Sequence, residues 1–305
     1  MIALVENIIT RMESGHIITK KGDRYSPATL KNFKNIVPWL EYFEAENGRQ
    51  ESVFNTSDFF VNLKVFLTAQ GLAKNSVAVM LQNLHAILRH EKAFSLLALD
   101  NVKTEMTTAV YTTIAELEFL SSLDLSETPG YDRVRDAYIM QCSVGLRFRD
   151  FKRVMSAINM YIVTSNNREY FKLKTAKAQE DVVIPVNSAA TKILKKRSYD
   201  FGEMFSLQYY NSGIKWLGHR AGFTEPVCKN ITKGGRMTQE FYEKWQLMGS
   251  HTARRSFATN AILAGLSETD VMKIGGWKSV AAFRRYLRAD QLLSARSLAE
   301  HPFFK

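Results

Sequence analysis

Long apolar runs are missing from this chain of 305 residues, and no stretch approaches the roughly 18 consecutive apolar residues of a membrane-crossing helix. A helical membrane protein is thereby excluded. The opening MIALVENIITRME has no basic leader and places Glu6 where the apolar core of a secretory signal would continue, so the cytosol is the expected compartment. Cysteine is nearly absent. Cys142 and Cys228 stand in unrelated contexts, with no Cys-x-x-Cys pair or histidine-rich segment, which argues against both a disulfide framework and a zinc site. No internal repeat or low-complexity tract is visible, so solenoid and compositionally disordered classes do not apply.

Acidic charge is also scarce: 30 Asp and Glu face 41 Lys and Arg, a net charge of +11, and the pI is about 9.5. A polyanion suits that balance, because neutralising phosphates releases counterions and gives sequence-independent affinity. Scattered solubilising charge would give the same total. Apolar residues make up 46% of the chain and charged ones 23%, the proportions of a globular protein with enough length for two domains.

Up to about residue 94 the apolar spacing is helical throughout. YSPATLKNFKNIVPWLEYF offers Ser26 as N-cap and Pro27 as the first helical residue, with Leu30, Phe33, Ile36, Val37, Leu40 and Phe43 on the apolar face. Two further helices are expected in TSDFFVNLKVFLTAQG and AKNSVAVMLQNLHAILRHEK. Residues 95–112 lose this period and read as a linker, which divides the chain into a helical domain over 1–104 and a second domain over 105–305.

The second domain opens on TIAE, a Thr-x-x-Glu capping box at residues 113–116. An apolar helix, RDAYIMQCSVG, ends at Gly145. A three-stranded meander is then expected from NMYIVT, YFKLKT and DVVIPV, joined by polar turns, and helix from there to the end. The fold class is mainly α with a small antiparallel β-sheet.

Within HTARRSFATNAILAG the apolar stripe falls on Phe257, Ala258, Ala261 and Ile262, and Arg254 shares that face. An inward guanidinium must meet a carboxylate or an anionic ligand, and an ordinary buried ion pair would satisfy it as well. His251, just before this helix, can be a cap, a surface residue or a functional imidazole. Tyr286 lies among Arg284, Arg285 and Arg288 in SVAAFRRYLRAD. It is either a stacked surface aromatic or a phenol whose ionised form is favoured by positive charge, hence a nucleophile toward phosphorus.

GLRFRD at 145–150, KLKT at 172–175, HTARRSFAT at 251–259, GGWKS at 275–279 and RRY at 284–286 together resemble the tyrosine recombinases, the phage integrase family, in order and spacing. Trp277 and Tyr286 are nine residues apart, as in that family. The likeness spans most of residues 113–290, and the helical segment before it resembles the family's SAM-like core-binding domain, with a catalytic domain following.

Carried over by position, the resemblance implies that Arg147 and Arg254 clamp the scissile phosphate, with Asp150 bracing them. Lys174 matches the lysine that protonates the departing 5′ oxygen, with Lys172 and Lys177 as rivals for that role. His251 would assist proton transfer or bond the phosphate, Trp277 would donate its indole N–H, and Tyr286 would form a 3′-phosphotyrosyl bond without metal or other cofactor. The implied protein is a site-specific recombinase of a mobile element in the bacterial cytoplasm, associated with the nucleoid. Two domains would clamp duplex DNA, four protomers would join two sites, and accessory DNA-bending or excision proteins could take part. Ala253 departs from the Leu most common before the arginine and points toward integrases of conjugative and transposable elements. Many of those carry an arm-binding domain, for which the segment before Tyr25 is too short. The tail DQLLSARSLAEHPFF has helical spacing at Leu292, Leu293, Ala295 and Leu298, and the resemblance implies that it docks on a neighbouring protomer. Rival readings are a type IB topoisomerase, which uses a similar residue set, and a DNA-binding regulator without chemistry.

Overall fold

The computed structural model describes residues 1–48, 57–91, 104–106, 108–177 and 179–287. By its contacts the chain divides into two units, Met1–Thr107 with Cys228–Glu240, and Thr108–Val227 with Phe241–Lys305. The end of the chain from residue 288, including the expected docking tail, lies outside the described residues.

In the first unit, helices α1 (Ile2–Glu13), α2 (Pro27–Lys34), α3 (Val37–Asn47), α4 (Ser57–Ala69) and α5 (Lys74–Leu88) enclose one apolar core. Ile8, Leu40, Leu63 and Leu84 are buried at its centre. Ser26 caps α2, its hydroxyl accepting from the Thr29 N–H at 3.2 Å, and Pro27 follows at the first turn. The backbone beyond α5 is fastened at Glu105, which exchanges two hydrogen bonds with the Asn75 side chain at 2.9 and 3.0 Å.

The second unit is built around α7 (Pro129–Val144), which packs against α6 (Ile114–Ser122), α10 (Ser188–Lys196), α11 (Leu207–Arg220) and α12 (Ser250–Leu263). The expected capping box is present: Thr113 Oγ1 accepts from Glu116 N–H, and the Glu116 carboxylate accepts from Thr113 N–H. So central a helix buries polar groups, and they are paired. Tyr138 shares a 2.6 Å hydrogen bond with Thr112, whose N–H donates to Ser256 Oγ on α12 at 2.8 Å. Gln141 accepts from the Tyr210 hydroxyl at 3.0 Å and donates to the Leu146 carbonyl at 3.0 Å. This last bond fixes the turn after Gly145, a left-handed C-cap at φ 66°.

From that turn the chain runs through α8 (Phe148–Met155), α9 (Ile158–Tyr161), and strands β1 (Ile162–Ser165), β2 (Arg168–Lys174) and β3 (Asp181–Pro185). The sheet is an antiparallel meander in the order β1-β2-β3, with Phe171 paired to Ile162 and Ile184. Phe171 and Leu173 turn inward, which leaves Lys172 and Lys174 on the exposed face of β2. The first strand starts three residues later than the pattern suggested. One helical turn intervenes, closed from the Ile162 N–H to the Ile158 carbonyl, because Ile158 must reach the core.

The expectation of helix after the meander fails over residues 226–243. There β4 (Pro226–Lys233) and β5 (Arg236–Glu243) form a two-stranded sheet joined by Gly234 and Gly235, both at positive φ as the tight hairpin turn requires. None of its positions is fully buried, so the alternation that marks a strand is diluted by polar residues. Its outer part belongs to the first unit: Lys233 bridges to Ala73, and Glu105 accepts from the Thr232 N–H and hydroxyl at 2.9 and 2.7 Å. Beyond α12 come α13 (Glu268–Gly275) and α14 (Val280–Arg284), with a small apolar cluster of Ala258, Val271, Trp277 and Phe283. Two placements differ from expectation in detail. His251 lies inside the first turn of α12, because the helix starts at Ser250, and Tyr286 sits just past the end of α14. Among the described residues no helix is long and apolar enough to cross a membrane.

Candidate active site

Arg254 leaves only 1% of its surface to solvent and has no carboxylate in an ion pair among the described contacts. The ordinary buried ion pair is therefore not what holds it. Instead Nη1 donates to the Gly145 carbonyl at 2.5 Å, Nη2 donates to the Gly275 carbonyl at 2.8 Å, and the guanidinium carbon lies 3.6 Å from the centre of a Trp277 ring. Hydrogen bonds to a charged group contribute about 1.5–3 kcal/mol each, and a desolvated cation–π contact about 2, against several kcal/mol for burying the ion. Burial first, and then the neighbouring Arg147, push the Arg254 pKa down to about 9, so the group remains a cation at neutral pH. Its Nε is buried and has no hydrogen-bond partner.

Both carbonyls are available because the residues that carry them lack a side chain. A Cβ on Gly145 would lie 2.3 Å from the Phe257 ring, and one on Gly275 would lie 1.8 Å from the Trp277 ring. Trp277 is held by a near-parallel Phe257 at 6.5 Å and by edge contacts with Phe283 at 5.2 Å and Tyr286 at 5.4 Å between ring centres. Its indole Nε1 is likewise buried without a partner.

Arg147 caps α8 in extended conformation, and its buried Nη1 is a third unpartnered donor. Its charge registers at both Arg254 and His251. Asp150, 2% exposed, accepts from the Ala176 N–H at 2.8 Å and from Arg153 at 3.2 Å, and its charge favours the cationic form of Arg254. The carboxylate thus braces the β2–β3 turn and the clamp together. His251 is exposed, yet enough protein surrounds the ring that desolvation is the first cause of its lowered pKa, followed by the charges of Arg255, Arg254, Arg147 and Lys177. Its imidazole is therefore neutral at neutral pH. Tyr286, half-buried, brings its ring to 5.5 Å from the Arg254 guanidinium carbon.

The structure thus gathers Arg147, Asp150, His251, Arg254, Trp277 and Tyr286 from elements far apart in sequence. Lys174 joins them through its backbone, the carbonyl accepting from Arg153 Nη2 at 2.5 Å, while Lys177 in the following turn is the lysine whose charge reaches His251. Lys172 lies on the same exposed strand face as Lys174. Three contributors escaped the sequence reading: the carbonyls of Gly145 and Gly275, and Arg153. Only Arg153 left a signal, its three-residue spacing from Asp150 on a helix. Among the described residues no group of three or more His, Cys, Asp or Glu side chains could hold a metal ion. Three unpartnered donors beside a cationic cluster and a phenol suit an oxyanion such as a phosphodiester.

No protein-family model matches the chain, and a search of curated proteins finds no match. Solved structures do match. The XerH site-specific recombinase in a post-cleavage complex with palindromic difH superposes with a TM-score of 0.64 at 12% identity, over 98% of this chain and 94% of that one. Residues 82–397 of the Tn1549 transposon integrase, in complex with circular intermediate DNA, give 0.60 at 15% identity over 98% and 99%. A lambda integrase dimer bound to a COC′ core site gives 0.57 at 14% identity over 94% and 76%. The chain has the tyrosine recombinase fold.

Proposed function

We propose that the protein is a site-specific DNA recombinase that cleaves and rejoins duplex DNA through a tyrosyl intermediate. The observation that carries this reading is the set of buried, unpartnered donors: Arg254 Nε and Trp277 Nε1, on two residues that both pack against the Tyr286 ring, and Nη1 of Arg147, whose charge reaches Arg254. Orphaned donors are costly in a folded protein, and a phosphate oxygen is the acceptor that the two cationic arginines among them favour. In the reaction the Tyr286 oxygen attacks phosphorus while its proton passes to the neutral imidazole of His251. The bond from phosphorus to the 5′ oxygen breaks, and that oxygen takes a proton from a lysine of the segment Lys174–Lys177. The 3′-phosphotyrosyl linkage keeps the diester's bond energy, so a second 5′ hydroxyl can reverse the step on another strand. The arginines stabilise the charge that accumulates on the nonbridging oxygens.

The remaining roles follow the same reading. Residues 1–104, joined by the hairpin segment 228–240, form a DNA-binding domain, the rest of 105–305 the catalytic one, and four protomers act on two DNA sites to integrate and excise a mobile element. The likeness to the Tn1549 integrase supports that setting. The test is a duplex carrying a nick near the cleavage site. The protein should become covalently attached to the 3′ phosphate, with excess EDTA present, and Tyr286→Phe should abolish the adduct while DNA affinity stays within a few fold. An adduct formed by the phenylalanine variant, or one lost on chelation, refutes the assignment.

A further inference from the structure

Arg153 is absent from the resemblance and from the cluster around Arg254, yet it makes the bonds that connect α8 to the lysine-bearing segment. Its Nη2 donates both to Asp150 Oδ1 at 3.2 Å and to the Lys174 carbonyl at 2.5 Å, while the same Asp150 oxygen accepts from the Ala176 N–H at 2.8 Å. Residues 174 and 176 are thereby gripped by one arginine–carboxylate pair, and Lys177 follows directly. The guanidinium carbon lies 5.7 Å from the centre of the Tyr161 ring, which supports it from the end of α9.

On its other side the turn is closed within itself. Thr175, 1% exposed, donates its N–H to the Glu180 carbonyl at 2.8 Å, and its hydroxyl accepts from the Glu180 N–H at 3.1 Å. Glu180 in turn pairs with Lys278 at 2.6 Å, next to Trp277. The backbone at residues 174–176 and at Glu180 is thus held by hydrogen bonds, so the Lys174 side chain projects from a fastened base and Lys177 follows directly after it. A flexible lysine loses reach and orientation when its backbone moves, and proton transfer depends steeply on both.

We infer that Arg153 is a positioning residue: by bridging Asp150 to the Lys174 carbonyl it holds the β2–β3 turn so that its lysine can protonate the departing 5′ oxygen. This rests on the recombinase reading above. Arg153 itself touches neither phosphate nor nucleophile in this scheme, and its removal should impair only the step that the lysine serves. With 42% of its side chain exposed, it can be replaced without opening the core.

Two substrates separate the possibilities, the natural diester and one with sulfur at the bridging 5′ position, whose thiolate leaves without a proton. Arg153→Met should slow cleavage of the oxygen substrate by about ten- to a hundred-fold, a fraction of what general acid catalysis provides, and leave the sulfur substrate within about three-fold. Arg153→Lys keeps a cation beside Asp150 but loses the planar fork, and should show the same selective loss in smaller size. DNA affinity, measured on both variants, reports that the fold persists. Equal losses on oxygen and sulfur, or no loss on either, overturn the inference. Failure of the unaltered protein to form an adduct with either substrate refutes the recombinase reading instead.

Discussion

The replacement Gly275→Ala tests whether the clamp on Arg254 governs cleavage. Its new methyl would lie 1.8 Å from Cζ3 and 2.4 Å from Cε3 of Trp277, whereas ordinary contact begins near 3.4 Å, so the indole has to retreat by about 1.6 Å. Retreat is obstructed, because Phe257, Phe283 and Tyr286 pack around that ring and the Arg254 guanidinium lies 3.6 Å from its centre. Overpacking of this kind costs about 1–3 kcal/mol of stability. The larger effect should be catalytic. When Trp277 moves, Arg254 loses its stacking partner and is drawn from the geometry set by the Gly145 and Gly275 carbonyls; one misplaced transition-state donor costs about 2.7–4 kcal/mol, or about a hundred- to a thousand-fold in rate. Covalent adduct formation on nicked duplex should fall by that factor while the duplex still binds and the protein still melts cooperatively. Gly145→Ala should be worse in stability, since its methyl meets Phe257 at 2.3 Å and its φ of 66° adds about 1–2 kcal/mol of backbone strain. A Gly275→Ala protein that cleaves within about three-fold of the parent would refute the argument, by showing that Trp277 can relocate without disturbing Arg254.

These two glycines also show where the sequence was legible and where it was not. The inward direction of Arg254 follows from helical phase, since it shares a face with Phe257 and Ala258, and the structure buries it as that phase requires. What it meets does not follow from phase. Its partners are carbonyls 109 and 21 residues away, and a backbone carbonyl is carried by every residue alike, so no side-chain pattern announces it. The same division runs through the fold. The capping box at Thr113, the left-handed stop at Gly145 and the buried alternation of β2 each rest on local chemistry and were readable. The hairpin of β4 and β5 was not, although Gly234 and Gly235 mark its turn, because its strands fully bury no side chain and its outer part is stabilised by Ala73 and Glu105, distant in sequence. His251 shows an intermediate case: its proximity to the arginines was expected, but the consequence for its protonation needed first the protein packed around the ring, and then the charges of Arg255 and Lys177.

Arg254→Lys should retain DNA binding yet lose about a hundred-fold or more in cleavage, because a point-like ammonium cannot occupy two carbonyls and stack on Trp277 while reaching the phosphate. Parallel rates for Lys and Arg would mean that charge alone suffices. Of Lys174→Ala and Lys177→Ala, the one that removes the general acid should be restored by the sulfur-bridged substrate, and the other should lose little on either; failure of sulfur to restore any lysine variant would remove the general acid from this turn. Binding to nonspecific duplex should weaken steeply as salt rises, each phosphate contact adding about 0.9 to the logarithmic slope, and a flat response would count against multiple phosphate contacts. His251 offers the most direct view of the site. Its folded pKa lies below the ordinary 6.5, so the unfolded chain binds the proton more readily and this group's contribution to stability declines as pH falls through that ordinary value. Above it the ring is neutral in both states and contributes no pH dependence. A phosphodiester placed among Arg147, Arg254 and Lys177 would cancel part of the positive field that disfavours the imidazolium, so the pKa should rise when duplex carrying the cleavage site binds the Tyr286→Phe protein. Following the imidazole signals by NMR against pH, with and without that duplex, measures both values. A free-protein pKa at or above 6.5 would refute the desolvation and positive field around the ring, and one that the duplex leaves unmoved would show that the phosphate does not lie within reach of His251.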